Sequence, residues 1–456
     1  MEERNREEES QIVTDALIAL LEAEQMEEFR AEFLAQHPYD QAQVFEEVGA
    51  EKRQLIYQYL SPKEMAEIFQ AIDLDDDEYE PFLNEMETTY AAEMLGEMYT
   101  DDAVDVLNEL DKNQVVSYLT IMDKDSAQEI KDLLHYEDYT AGSIMTTEYV
   151  AIPANSTVRS AMTILRNAAP EAETIYYIFV VSEDNVLVGV VSLRDLIVAD
   201  EDTLIRSIMN ERVVSVSVSE DQENVARMMK DYDFLAMPVV DFQDHLLGII
   251  TVDDILDVLE EEASDDYSKF AAVSEMDTFD KGPFTAAKKR LPWLIILLFL
   301  GMLTANLMNI FKATLDQAAV LAVFIPLIAG MAGNSGTQAL AVAVRGIATG
   351  DIEEESKMSL MVREAGTGLI TGFVSALFVI GLVYFWQHEL LLGLLVGAAI
   401  FGSIFIATLA GSFIPLLIHR MNIDPAVASG PFITTLNDII SILIYLGLAT
   451  LFISQL

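Results

Sequence analysis

The chain has 456 residues and a formal charge of −49 at neutral pH, from 75 acidic and 26 basic residues. So acidic a composition argues against nucleic-acid binding, which needs clustered Lys and Arg to neutralise phosphates. The absence of cysteine excludes disulfides, thiol chemistry and thiolate metal sites. Residues 1–290 carry a net charge of −45 and residues 291–456 a net charge of −4. The sequence therefore joins two physically different halves.

The first segment, residues 1–137, is acidic and has a helical pattern. Ser61, Pro62 and Glu64 combine an N-cap hydroxyl, a proline at the first helical position and a glutamate three residues after the cap. Similar short units recur at residues 60–73, 86–98 and 98–111, as is typical of stacked helices. We expect an α-helical N domain with the character of a small α-solenoid.

An internal duplication follows at residues 138–201 and 202–262. The triplet Ser-Ile-Met at 143–145 recurs at 207–209, and the unit at 189–195 (GVVSLRD) recurs at 248–254 (GIITVDD). In both copies a β-rich run and a polar turn precede this unit, and a helix is predicted after it. The pattern resembles a tandem pair of CBS domains, which implies an α+β fold for each copy.

The repeated unit allows two interpretations. In CBS domains its hydroxyl and its terminal aspartate hold the phosphate and ribose of an adenine nucleotide such as ATP. The resemblance therefore makes Ser192 and Asp195 of the first copy and Thr251 and Asp254 of the second copy candidates. Tyr177 and Arg194 are further candidates in the first copy. Alternatively, the hydroxyl only caps the following helix and the aspartate favours its positive end.

Residues 263–290 are acidic at their start and become basic just before the membrane half. A segment this charged is consistent with a solvated linker. Its continuity with the preceding helical pattern favours instead a connecting helix, which would act as a lever between the two halves.

Residues 291–456 predict a membrane domain. Charge is absent from residues 291–311, 317–344, 365–388 and 390–419, and residues 425–456 contain only one charged residue, Asp438. Each run is longer than the roughly 20 residues needed to cross a bilayer, so we expect five α-helical spans. Lys and Arg cluster in loops on one side, which predicts a cytosolic N-terminus and an extracellular C-terminus in the cytoplasmic membrane. The charged first ten residues lack the apolar core of a cleavable signal.

The second span contains Pro326 and the glycine-rich run 330–338, which includes Asn334, Thr337 and Gln338. Small residues in membrane helices commonly serve close helix packing. The polar side chains in the same run favour a second interpretation, in which this helix also lines a cavity.

The fifth predicted span carries Asp438 deep in the bilayer, with Thr434 and Thr435 one turn earlier. A carboxylate there costs several kcal/mol unless it faces water, a partner or a cation, so a functional role is expected. No basic residue lies within a span to neutralise it. A site made only of oxygens with few charges suits a hard, largely hydrated cation such as Mg²⁺.

Together these motifs resemble those of the MgtE family of magnesium channels and transporters, over essentially the whole length. The resemblance implies a homodimer whose pore lies on the two-fold axis and mediates Mg²⁺ uptake. It places Asp438, Thr434 and Asn334 at the pore ion and Asp424 at the inner mouth. Some relatives have asparagine where this chain has Gly430, so any role of that amide is absent here.

The resemblance also implies cytosolic Mg²⁺ sites between the N domain, the CBS domains and the connecting helix, through which Mg²⁺ closes the pore by negative feedback. The acidic residues at matching positions are Asp101, Asp105, Asp221, Glu223, Asp233, Asp254, Asp257, Glu262, Asp265 and Asp266. For any one of them a solvated charge is the simpler interpretation, and the joint occurrence favours the sensor.

Two alternatives stay open at this point. One is a CBS-regulated transporter of another divalent cation or solute, and the other is a membrane-anchored metal or nucleotide sensor that transports nothing. An enzyme is not expected, because five His and no Cys leave few nucleophile–base pairs and no phosphate-binding P-loop occurs.

Overall fold

The computed structural model describes residues 2–72, 79–273, 282–350, 352, 357–421 and 423–452, with side chains described from residue 12 onward. The chain divides into two compact units, Met1–Leu259 and Glu260–Leu456.

The N-terminal part of the first unit is entirely helical within the described residues. Its helices are α1 (Glu2–Glu22), α2 (Met26–Phe33), α3 (Pro38–Glu47), α4 (Ala50–Tyr59), α5 (Pro62–Phe69), α6 (Tyr79–Glu85), α7 (Thr88–Leu95), α8 (Thr100–Asn108), α9 (Lys112–Ile121) and α10 (Lys124–Leu133). Helices two apart in sequence pack together, as in α3 with α5, α5 with α7 and α8 with α10. This pairing of short helices is the expected solenoid arrangement.

The capping box predicted at the start of α5 is present. The Glu64 amide donates to the Ser61 hydroxyl (3.3 Å), and the Ser61 amide donates to the Glu64 carboxylate (2.8 Å). Buried aromatic side chains fill the space behind these short helices, including Phe29, Phe33 and Phe45. The short helices are therefore held mainly by this shared core, since isolated helices of this length are marginal.

Two three-stranded sheets follow and confirm the duplication. The first copy contains β1 (Ala151–Pro153), α11 (Val158–Ala168), β2 (Tyr177–Val181), β3 (Leu187–Ser192) and α12 (Leu193–Val198). The second contains β4 (Val216–Ser217), α13 (Gln222–Tyr232), β5 (Ala236–Val240), β6 (Leu246–Thr251) and α14 (Val252–Ala271). In each sheet the first strand is parallel to the middle one, which is antiparallel to the third.

The two copies pack reciprocally through their repeated motifs. A Cβ atom on Gly189 would lie 2.7 Å from the Met209 sulfur, and one on Gly248 would lie 2.6 Å from the Thr146 carbonyl oxygen and 3.0 Å from the Met145 sulfur. Each Ser-Ile-Met triplet thus presents its methionine to the repeated glycine of the other copy. The glycines are required because this close approach leaves no room for a side chain.

The second unit contains five helices that are long and apolar enough to cross a membrane. They are α15 (Pro283–Ile310), α17 (Leu321–Ala348), α18 (Lys357–Gln387), α19 (Leu390–Arg420) and α20 (Gly430–Phe452), with the short α16 (Lys312–Gln317) after the first. The predicted fold class is confirmed: a helical N domain, a CBS pair and five membrane-type helices. The fifth helix begins at Gly430, after a 3-10 turn at Pro425–Val427.

Two predicted domain limits fall inside helices. Helix α14 runs across residue 262, and α15 runs across residue 290, while residues 274–281 of the predicted connecting helix lie outside the described residues. The domain limits therefore stay predictions.

Helices α17, α19 and α20 approach each other closely. A Cβ atom on Gly411 would lie 2.2 Å from the Gly336 carbonyl oxygen, and one on Gly336 would lie 2.0 Å from the Asn437 amide nitrogen. Gly333 packs on Thr434 in the same way. These glycines of the second span serve helix packing, which was one of the two interpretations of that run.

Candidate metal sites

Asp438 lies on α20, eight residues after Gly430, which is about 12 Å along the helix axis. Its side chain is partly buried. Among the described residues no side chain forms an ion pair or hydrogen bond with its carboxylate. The carboxylate is thus neither neutralised by a base nor satisfied by a donor from the part of the chain that the structure describes.

A cleft of about 910 Å³ begins one turn before Asp438. Asn334, Thr337 and Gln338 of α17 face Thr434 and Thr435 of α20 across the cleft, and Tyr267 of α14 also lines it. The Thr337 and Thr434 hydroxyl oxygens are 3.2 Å apart. The structure therefore brings together Asn334 and Thr434, and both interpretations of the second span hold: its glycines pack and its polar side chains line a cleft. Asp438 itself is not among the lining residues.

Asp424 does not join the cleft and is engaged in an ion pair. Its Oδ2 lies 2.6 Å from the Lys269 ammonium, and its Oδ1 accepts the Ala426 amide at 2.8 Å. Lys269 also pairs with Asp265 on the same helix. We call Asp265, Asp266, Lys269 and Asp424 the lysine-centred cluster.

Charges in the lysine-centred cluster shift its pKa values. Burial raises the pKa of Asp266 to about 6, and nearby Asp424 and Glu262 add to the effect. Burial lowers the pKa of Lys269, but the hydrogen bonds that its ammonium donates to Asp265 and Asp424 outweigh this effect, so the net shift is upward. Lys269 is accordingly charged at neutral pH and neutralises part of this cluster.

A second group of acids lies in the first unit, where α8 meets the CBS pair. Carboxylate oxygens of Glu173, Asp253 and Asp254 lie within 4.8 Å of one another. The carboxylates of Asp102 and Asp254 add to the raised pKa of Asp101 on α8, and those of Asp254 and Asp253 add to the raised pKa of Asp102. We call these five residues the buried acidic cluster, although Asp253 at its edge is exposed.

Burial dominates the protonation of the buried acidic cluster. It raises the pKa of Asp101 well above its usual value, that of Asp102 to about 7 and that of Glu173 to about 8, and the neighbouring acids add to each shift. Asp101 is 6% exposed, and its Oδ1 has no hydrogen-bond partner among the described residues. Desolvated carboxylates at this spacing need protons or a shared cation.

The first turn of α8 is held in place by Thr100. Its hydroxyl donates to the Glu148 carboxylate at 2.5 Å, and the Thr146 hydroxyl donates to the same group at 2.6 Å. Thr100 is the first residue of α8, and Tyr99 is the N-cap. The hydroxyl serves a tertiary contact instead.

The other predicted sensor residues have varied surroundings. Asp105 and Asp257 are exposed, although Asp257 contributes to the raised pKa of Asp254. Asp221 caps α13 by accepting the amides at 223 and 224, and Asp233 ends that helix with a left-handed backbone (φ 54°). Glu223 pairs with Arg227 at 3.0 Å.

The nucleotide candidates show the cap geometry in both copies. Ser192 donates to the Asp195 carboxylate at 2.6 Å and accepts the Asp195 amide at 3.2 Å. Thr251 donates to Asp254 at 2.6 Å in the same way. Tyr177 pairs with Ser192 across the sheet, and Arg194 is exposed. Nucleotide binding at these residues stays a prediction.

Comparison with known proteins assigns the chain to a family. Residues 325–448 match the family model described as a divalent cation transporter, residues 36–139 match the MgtE intracellular N domain, and residues 141–202 and 205–261 match CBS domains. The magnesium transporter MgtE of Enterococcus faecalis is 57% identical over 436 residues, which cover 96% of each chain. The chain belongs to the MgtE family.

Further relatives agree with this assignment. The magnesium transporter MgtE of Bacillus subtilis is 39% identical over 440 residues, covering 96% of this chain and 97% of the relative. A crystal structure of the soluble part of a magnesium transporter is 57% identical and has a TM-score of 0.55. It covers 56% of this chain and 99% of that one. The resemblance inferred from sequence is confirmed, and MgtE proteins are membrane transporters, not enzymes.

In this MgtE chain, sequence reasoning missed three members of the buried acidic cluster and the central lysine of the other. Asp253 carried a signal, because the first copy has Arg194 at the same place in the repeat. Lys269 also carried one, lying four residues after Asp265. Asp102 and Glu173 carried none, since Asp102 adjoins a predicted ligand in an acid-rich segment and Glu173 lies in a loop before β2.

Proposed function

We propose that this MgtE-family chain mediates Mg²⁺ uptake across the cytoplasmic membrane and that the ion passes Asp438. The observation that carries the proposal is a carboxylate within a membrane-type helix that has no basic partner in the described part of the chain. An uncompensated charge at that depth costs several kcal/mol, which a passing cation offsets. The names of the relatives support Mg²⁺ as that cation.

The chemistry of the surroundings favours a hydrated ion. Hydroxyl and amide oxygens of Thr434, Thr435 and Asn334 border the approach to Asp438. Mg²⁺ gives up its water reluctantly and is usually held through one or two carboxylates and several waters. One Asp438 supplies one negative charge, so a two-fold homodimer that brings two copies together would balance a doubly charged ion.

Feedback would act through the acidic clusters. Without counterions the carboxylates of the buried acidic cluster repel each other, and a shared Mg²⁺ relieves that repulsion, so Mg²⁺ favours the arrangement described here. A single site at half saturation shifts an equilibrium by only about 0.4 kcal/mol. Inverting a population from 1:99 to 99:1 needs about 5.5 kcal/mol, so several coupled sites are required. The number of predicted sensor acids agrees with that requirement.

The orientation is proposed from the basic residues at the helix ends. Lys and Arg at 288–290, 345, 357, 363 and 420 would face the cytosol, and Lys312 alone would face outward. The N-terminus is then cytosolic and the C-terminus extracellular. Because the chain has no cysteine, a single cysteine introduced at 312 should be labelled only from outside, and one introduced at 349 only from the cytosolic side. Labelling of either variant from the opposite side would reverse this assignment.

The test of the transport function is Mg²⁺ flux into liposomes that contain the full-length protein. Asp438→Ala should reduce flux at least about 100-fold, because the hydrated ion loses its charge partner inside the membrane. Asp316→Ala is the matched control, since this exposed acid of α16 lies outside the five membrane helices. If the Asp438→Ala variant carries Mg²⁺ at the wild-type rate, the pore assignment is wrong. If the wild-type protein carries another cation and Mg²⁺ does not compete with it, the alternative substrate is favoured. If the wild-type protein carries no cation, the sensor is favoured.

A further inference from the structure

Asn437 is a buried amide within α20 that the transport mechanism does not yet use. Its side chain has no solvent exposure, and neither its Nδ2 nor its Oδ1 atom has a hydrogen-bond partner among the described residues. Exchanging the two atoms of the amide would not change this, because both lack a partner. A buried amide without partners costs free energy, most of all inside a membrane, where no bulk water satisfies it. The arrangement described here therefore carries a penalty at Asn437.

The Ser and Thr side chains of α20 avoid such a penalty by bonding to their own helix. Ser441 donates to the Asp438 carbonyl oxygen at 3.0 Å, and Thr434 donates to the Gly430 carbonyl oxygen at 2.9 Å. These hydroxyls are satisfied wherever the helix moves, because their partners move with them. The Asn437 amide makes no bond of this kind, so only a group outside α20 can satisfy it.

Three membrane-type helices meet at Asn437. A Cβ atom on Gly336 of α17 would clash with the Asn437 amide nitrogen and would lie 3.2 Å from the Ala407 carbonyl oxygen of α19. The amide nitrogen and this carbonyl oxygen thus lie close to one point, yet they form no hydrogen bond with each other. A carbonyl oxygen has two lone pairs and can accept a second hydrogen bond beside the one from its own helix. A small movement of α20 relative to α19 would give the amide this acceptor.

The same movement changes the direction of Asp438, which follows Asn437 on the helix. Successive side chains of an α-helix point about 100° apart, so the contact of Asn437 with α17 fixes where the Asp438 carboxylate points. Asp438 is partly buried in the arrangement described here. Because both side chains belong to one helix, the arrangement that satisfies the amide also resets the carboxylate.

We propose that Asn437 is a positioning residue for Asp438. Its unsatisfied amide disfavours the described arrangement and favours a second one, in which it donates to the Ala407 carbonyl oxygen and α20 presents Asp438 to the passing ion. The inference rests on the proposed function, under which Mg²⁺ favours the described arrangement and closes the pore. The penalty at Asn437 then keeps the closed state only marginally favoured, so that loss of bound Mg²⁺ is sufficient to open it.

The test replaces Asn437 with leucine, which has nearly the same size and no polar atoms. The substitution removes the penalty from the described arrangement and the hydrogen bond from the second one. We therefore expect opposite effects on stability and on transport. In detergent with excess Mg²⁺, the midpoint of thermal unfolding of the full-length Asn437→Leu variant should rise by at least about 2 °C. Mg²⁺ flux into liposomes should fall roughly tenfold, because the conducting arrangement becomes rarer.

Tryptophan fluorescence reports the unfolding of the correct unit, because both tryptophans of the chain, Trp293 and Trp386, lie in the second unit. Asn309→Leu is the matched control, since this asparagine of α15 is exposed. It should leave the unfolding midpoint and the flux at their wild-type values.

A residue with a merely structural role would lose stability and flux together. A lower unfolding midpoint in the Asn437→Leu variant would therefore overturn the proposal. An unchanged midpoint would overturn it too, and is the result expected if a bound water molecule satisfies the amide. So would wild-type flux in this variant.

The unfolding measurement contains no transport step, which separates this inference from the proposed function. Absence of Mg²⁺ flux in the wild-type protein would refute the proposed function and, with it, the positioning role. Normal flux in the wild type together with an unshifted midpoint in the Asn437→Leu variant would defeat this inference alone.

Discussion

At the scale of single residues, ion pairs between individual side chains join helices of the N domain. Arg30 of α2 donates two hydrogen bonds to the Glu64 carboxylate of α5, at 2.6 and 3.0 Å, and also contacts the Tyr59 carbonyl oxygen. Glu64 in turn closes the capping box of α5. One carboxylate therefore joins two helices and completes a helix start.

We predict that this pair makes the N domain sensitive to acid. Hydrogen bonds from Arg30 lower the pKa of Glu64 to about 2, although burial opposes the shift. A depressed carboxylate pKa adds stability that is present above the unfolded value of about 4.3 and is lost as pH falls toward the folded value. Glu64→Gln should therefore destabilise α2 and α5 by about 1–2 kcal/mol at pH 7, after allowance for partial exposure, and by roughly half as much at pH 3, which lies between the two pKa values.

The measurement is amide exchange in α2 and α5 of the full-length protein at both pH values, corrected for intrinsic rates. Glu67→Gln, an exposed acid on the same helix, controls for the change in net charge. Equal effects of the Glu64 variant at pH 7 and pH 3 would show that the ion pair does not set the acid sensitivity.

At the scale of elements, the sequence predicted the features that are formed by residues close together in the chain. The capping box at Ser61 and the repeat of strand, turn and helix were readable because the residues that form them are neighbours in sequence. The burial of Asp101 could not be read from the sequence, because it depends on the contact of Thr100 with Glu148, which lies 48 residues away. For the same reason the sequence showed the repeated glycines and the repeated methionines, but not that they pack on each other.

The end of α14 offers a prediction at this scale. Lys269→Met should loosen the last turn of α14, because the ammonium that links Asp265 and Asp424 is lost and three acids remain without their counterion. The side chains of Lys269 and Asp424 are each 34% exposed, so we expect about 1 kcal/mol, or roughly fivefold faster exchange over residues 262–273 in EDTA. Added Mg²⁺ should restore part of the protection by replacing the ammonium.

Lys288→Met is the control for this substitution, because Lys288 is exposed and lies at the start of α15. If exchange in residues 262–273 is the same for the Lys269 variant and the wild type, the ion pairs do not hold this helix end.

At the scale of the whole molecule, the five membrane-type helices were predicted from sequence because the bilayer imposes a length and an apolar composition that no loop satisfies. The cleft between α17 and α20 was predicted only in part. Asn334, Thr337 and Gln338 signalled polar lining, but the close packing of Gly336 against Gly411 depends on a helix crossing that composition does not encode.

The last prediction links the acidic cluster to transport. If Mg²⁺ closes the protein by neutralising the buried acidic cluster, the variant with Asp101→Asn and Asp254→Asn should lose much of its response to internal Mg²⁺. Liposome flux should then stay active at internal Mg²⁺ concentrations at least about tenfold above those that stop the wild type, because two ligands of the coupled sites are gone. Adding Asp438→Ala to the same protein should abolish flux at every internal concentration.

The matched control is the variant with Glu93→Gln and Asp231→Asn, which removes the same number of charges at exposed positions of the same unit. It should close at the wild-type concentration, because neither side chain belongs to the buried acidic cluster. Closure of the Asp101/Asp254 variant at the wild-type concentration would separate the cluster from gating. Equal loss of closure in both double variants would mean that total negative charge, and not a bound ion at these residues, sets the response.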